Sequence, residues 1–115
     1  MNVERLEKVA AFLKTYEPKE KAFNMELWGC GTAACAVGSA IDNGVTPGLE
    51  WDNSNMLPCY RTGDYTYFSW MAVQLYFDIS AGEALQLFSS HEYRENPTPK
   101  DVARRIRIYI AAKSS

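Results

Sequence analysis

The sequence predicts a mainly α-helical chain of about five helices, packed around a central helix of small residues, with a small β-hairpin inserted. α+β is the alternative class. Three observations carry this prediction. Apolar residues recur at three- and four-residue steps in several separate stretches. One stretch, Ala33 to Ile41, is rich in alanine and holds Gly38, which makes a thin helix that neighbours can approach closely. Between Val45 and Gly63 the helical period disappears and turn residues take over.

The first helix is expected over residues 2–16, with Val3, Leu6, Val9, Ala10, Leu13 and Tyr16 on its apolar face. Asn2 can cap it, and Glu4 with Lys8 makes a favourable pair one turn apart. Pro18 ends it, because the residue before a proline is pushed out of helical geometry. Phe23 to Trp28 is either a short extended piece or one helical turn. Thr32 is then the expected N-cap of the thin helix, which runs to about Asn43. Gly44 suits the left-handed position just past its end.

Leu49-Glu50-Trp51 and Met56 to Tyr60 flank Asp52-Asn53-Ser54-Asn55, which reads as a hairpin with a polar tip. Pro58 restricts its second arm to an edge or a bulge. Helix is expected again from Tyr65 to Phe77, with Phe68, Met71, Ala72, Leu75 and Tyr76 sharing a face. Ser80 to Glu83 is a capping box for the next helix, whose buried side is Ala84, Leu85, Leu87 and Phe88. A loop from Ser89 to Pro97 holds His91. Thr98-Pro99-Lys100-Asp101 opens the last helix, which runs to about Ala112 with Val102, Ile106, Tyr109 and Ile110 as its core stripe.

The 115 residues fit one compact domain, 1–115, and 47% hydrophobic residues can supply its core. The formal net charge of -2 argues against non-specific nucleic-acid binding, which needs a basic excess. No apolar run approaches the roughly 20 residues that span a bilayer, so no membrane partner is expected. The charged start, Met1-Asn2-Val3-Glu4-Arg5, is unlike an export signal. Three cysteines make a poor disulfide framework, so reduced thiols and a cytoplasmic setting are expected.

Four features could carry chemistry. Cys30, in front of a helix, could have a lowered pKa and act as a nucleophile with His91 as base. The more ordinary reading makes Cys30 and Cys35 small buried apolar groups. Cys30, Cys35, Cys59 and His91 could also be read as four metal ligands, but no second paired motif exists. No metal or other cofactor is therefore expected. The aromatic concentration comes third. Trp51, Tyr60, Arg61, Tyr65, Tyr67 and Trp70 are the candidate surface for a protein or small-molecule ligand. The alternative is that these rings cover a small core beneath the hairpin. Last, Lys100, Arg104 and Arg107 fall on one side of the final helix, as an anion site or, more ordinarily, a solvated face. Arg105 can pair with Asp101 one turn earlier.

Phe23, Met25 and Trp28, then Cys30-Gly31-Thr32-Ala33-Ala34-Cys35, Gly38 and Ala40, resemble a family of small bacterial and phage proteins without an established activity. The resemblance continues through the aromatic helix around Phe68 to Phe77, the Ser80 to Phe88 segment, and the closing helix from Thr98 to Ile106. It implies a small intracellular domain, carried by a phage or mobile element, and no particular reaction. The expected function is a non-enzymatic binding module working through the aromatic region, in the manner of a phage accessory or anti-defence inhibitor. A cysteine-dependent enzyme using Cys30 and His91 is the alternative.

Overall fold

The computed structural model describes residues 1–18, 22–25, 28, 33–52, 56–90, 93 and 97–114. Their order is α1 (Val3–Thr15), β1 (Ala22–Phe23), β2 (Ala33–Ala34), α2 (Ala36–Asp42), β3 (Leu49–Asp52), β4 (Leu57–Thr62), β5 (Tyr65–Phe68), α3 (Ser69–Phe77), α4 (Ala81–Phe88) and α5 (Pro99–Ser114). Five helices and a three-stranded antiparallel sheet make this an α+β arrangement with helix predominating.

Local chemistry explains most of the boundaries. Asn2 caps α1 by accepting the Arg5 backbone N–H at 3.0 Å. Leu6, Val9, Ala10 and Leu13 are buried, as their spacing requires. Lys8 lies 3.6 Å from Glu4 across one turn. The start of α1 is tied to the end of α3: the Asn2 N–H donates to the Phe77 carbonyl at 2.7 Å, and Arg5 donates to the Tyr76 carbonyl at 2.8 Å. α4 opens on a complete Ser80–Glu83 capping box. α5 opens on reciprocal bonds between Thr98 and Asp101.

The thin helix starts later than expected. Cys35, not Thr32, is the N-cap of α2, and its sulfur accepts the Gly38 backbone N–H at 3.4 Å. Thr32 lies outside the described residues. The Ala33–Ala34 pair ahead of it is extended and lies parallel to β1, with Ala22 opposite Ala33 and Phe23 opposite Ala34. Ala36 to Ala40 are all buried. A Cβ on Gly38 would overlap the backbone carbonyl of Trp28 and come within 3.1 Å of the Trp51 ring. This position therefore needs glycine for close approach.

The expected hairpin is present as β3 and β4, but a third strand joins it. This strand, β5, occupies Tyr65–Phe68, where the sequence pattern predicts the start of a helix. A two-residue connection, Gly63-Asp64, joins β4 to β5, with Gly63 at φ +58°. Ser69 then takes φ +57° at the strand-to-helix junction, so the helix cannot run back through Tyr65. With β5 in place, β4 becomes the central strand, although Pro58 was expected to restrict this arm to an edge or a bulge. Pairing with β5 ends at Cys59, so Pro58 has a neighbouring strand on one side only, and its missing N–H interrupts no second ladder.

α3 packs against β4 with Ala72, Val73, Tyr76 and Phe77 buried. The expected core face is thus turned by about one residue: Phe68, Met71 and Leu75 face outward. Leu85 of α4 is likewise exposed, while Ala84, Leu87 and Phe88 are buried. One core cluster joins buried residues of α1, α2, β3, α3, α4 and α5.

Candidate functional site

Alternation along the strands sorts the aromatic region into two faces. Leu49 lies opposite Tyr60, Trp51 opposite Pro58, and Tyr60 opposite Tyr67. Leu49 and Pro58 are buried and Tyr60 and Tyr67 pack against the core, so this is the inner face. The Tyr60 ring meets Tyr76 edge-on with centroids 5.4 Å apart. The Trp51 ring lies against Gly38, and its Nε1–H donates to Asp42 Oδ1 at 2.9 Å. Trp70, on α3, packs on Trp28 with ring centroids 4.7 Å apart. Four of the six expected partner residues, Trp51, Tyr60, Tyr67 and Trp70, are therefore half-buried: the last three cover the core, and Trp51 lies against α2.

Arg61 and Tyr65 are the exposed members of that set. They point to opposite faces of the sheet, because Arg61 pairs with Thr66 and Tyr65 with Thr62. Arg61 Nε donates to Thr66 Oγ1 at 3.3 Å. Tyr65 shares the inner-face register but sits at the end of its strand, beyond the core, with its ring 6.4 Å from that of Tyr67. The six residues do not assemble into one aromatic surface.

A different apolar surface is present next to them. α3 is apolar nearly all round: of its nine residues only Ser69 and Gln74 are polar. Such a helix is normally buried on every side. Here Phe68 is 44% exposed, Met71 49% and Leu75 40%, with Tyr65 at 69% in the preceding strand. A spacing of four residues places Met71 and Leu75 on one side of the helix, and Phe68 ends the strand just before it. Sequence reasoning missed this because either side of α3 satisfies the helical period. The Gly63-Asp64 dipeptide between two β-rich runs was the signal that could have set β5, and with it the rotation of α3.

The cysteine segment is structural where it is described. Cys35 is buried and its thiol is pushed up to about 11, chiefly by burial. A thiol so placed is a poor nucleophile at neutral pH. Cys59 is half-buried on β4. Cys30 and His91, the alternative catalytic pair, lie outside the described residues. Among the described residues, no cluster of three or more His, Cys, Asp or Glu forms a metal site.

A second polar network joins α4 to α5. The Tyr109 hydroxyl donates to Glu83 Oε2, and Lys113 Nζ lies 3.5 Å from the same oxygen. The Tyr109 hydrogen bond, with help from the Ser80 N–H, holds the Glu83 carboxyl at about 2. Burial and the Glu83 contact raise Tyr109 well above its ordinary range. Each member satisfies another, so the network reads as a clasp between helices. Arg105 donates to the Gln86 carbonyl at 3.1 Å and stacks 4.0 Å from the Tyr93 ring centroid, linking the same two helices to Tyr93.

No protein-family model matches the chain, and no curated protein or solved structure matches it. No helix among the described residues is long and apolar enough to cross a membrane.

Proposed function

We propose that this chain is a non-enzymatic binding module, and that a protein partner covers the outward side of β5 and α3. The observation that carries the reading is the exposure of Met71 and Leu75 on a helix with almost no polar residues. Single exposed apolar side chains are ordinary, but a run of them along one helix side marks an interaction surface. A protein suits this surface better than a small ligand does. Small-molecule sites are concave, whereas Met and Leu on the outer side of a helix adapt to an opposing surface. Phe68, on the outer face of β5, adds an aromatic anchor of the kind that dominates interfaces. The biological setting, a phage accessory or anti-defence inhibitor in a bacterial cytoplasm, rests on the sequence resemblance alone.

The test is affinity capture from a bacterial lysate with wild-type chain and with Met71→Glu/Leu75→Glu. The expected result is a partner held by the wild type and lost by the double variant, with unchanged circular dichroism. The same partner held equally by both chains would remove this surface as the site.

A further inference from the structure

We propose that the groove between the end of α1 and the outer side of α5 binds a small soluble organic phosphate. The groove has a volume of about 680 Å3, within the range of small-molecule sites. Lys14 lines it from the last turn of α1, and Lys100, Arg104 and Arg107 line it from α5. No carboxylate lines it. Four cations thus converge in a chain whose formal net charge is -2.

Little on the described fold neutralises these cations: the one opposite charge the structure records as acting on them is that of Asp101, felt by Arg104. Among the described residues, none of the four has an ion pair, whereas Lys8 pairs with Glu4 and Lys113 with Glu83. Asp101 stands three residues before Arg104 and feels its charge, but its Oδ2 accepts the Thr98 N–H at 2.9 Å and the two form no ion pair. Lys14 is placed to offset the negative end of the α1 dipole. The remaining charge is left for solvent or a ligand. Arg104 and Arg107 supply planar forks that match phosphate oxygens two at a time, and the lysines add point charge.

The floor of the groove determines the rest of the ligand. Ala103 is buried, and Ile108, 62% exposed, forms an apolar wall beside it. A bare inorganic ion would leave that wall in water. A ligand with an apolar or planar body and a phosphoryl group would cover the wall while meeting the cations. This site lies on α1 and α5 and is independent of the outward side of α3.

Titration calorimetry with 1-naphthyl phosphate, inorganic phosphate and 1-naphthol tests this directly. The expected result is one saturable site for 1-naphthyl phosphate, bound at least about tenfold tighter than either fragment. Arg104→Gln/Arg107→Gln, and separately Lys100→Gln, should each weaken it about tenfold or more with unchanged circular dichroism. Lys8→Gln, on α1 but outside the groove, should leave it unchanged. Equal affinity for inorganic phosphate, no saturable binding, or full binding by the groove variants would overturn the proposal. So would binding to phosphatidylserine vesicles without binding of 1-naphthyl phosphate, because the stripe would then be a membrane-surface site.

Discussion

The seam between α2 and the sheet and the outward side of α3 are both built from large apolar side chains, yet they have opposite surroundings. At the seam, Gly38 leaves room for the Trp28 carbonyl and the Trp51 ring, and both fit against the helix backbone. On the outer side of α3, Met71 and Leu75 stand exposed, as does Phe68 at the end of β5. The comparison teaches that aromatic or aliphatic density does not separate core from surface. A small residue opposite a large one does, because only that pairing closes the gap between two elements. Trp51 can lie half-buried against α2 because Gly38 is where it is.

The comparison can be broken most severely at the seam. Gly38→Leu should cost more than about 3 kcal/mol or prevent folding, since the overlap is with backbone, which cannot rotate away. Urea unfolding measures it, and a loss below about 1 kcal/mol would mean that the seam is loosely packed. Trp51→Ala removes the large partner of the same contact and its bond to Asp42. A loss of about 2–3 kcal/mol is expected, less than for a fully buried ring because Trp51 is only half-buried. A near-neutral change would return Trp51 to the list of surface residues.

Tyr109→Phe should have a smaller effect, about 1 kcal/mol at neutral pH, from the lost hydrogen bond to Glu83. Its pH dependence has a definite sign. Glu83 is held at about 2, below its ordinary 4.5, so its contribution is complete above about 4.5 and is lost as pH falls toward 2. The stability difference between wild type and Tyr109→Phe should therefore shrink across that acid window. Chemical denaturation at pH 7, 4 and 2.5 would show it, and a constant difference would exclude Glu83 as the titrating partner.

The sequence was most readable where structure is local. The Asn2 cap, the capping boxes at Ser80 and Thr98, the left-handed Gly44 and the hairpin arms each depend on residues within a few positions. The special role of Gly38 was readable too, because a thin alanine-rich helix implies close neighbours, though not which ones. Three features depended on distant partners and were misread. The start of α2 is set by the extended pairing of Ala33–Ala34 with β1 and by the Trp28 carbonyl, which accepts the Cys35 N–H. Tyr65 to Phe68 carries both a strand alternation and the start of a helical stripe, and β4 decides between them. α3 is apolar on both sides, so its period could not say which side faces Tyr60. The same ambiguity moved the candidate surface from the hairpin aromatics to Phe68, Met71 and Leu75. The basic residues of α5 were visible as a stripe, but their meeting with Lys14 required the packing of α1 on α5.

The central claim is that the seam holds the fold together while the outer side of α3 is free for a partner. The most direct measurement is urea unfolding of Met71→Lys/Leu75→Lys beside Gly38→Ala. Lysine keeps helix propensity close to that of methionine and leucine, so the double variant should unfold within about 0.5 kcal/mol of wild type, whereas Gly38→Ala should lose several times more. A double variant destabilised as much as Gly38→Ala would show that the outer side of α3 belongs to the core, and would contradict the account.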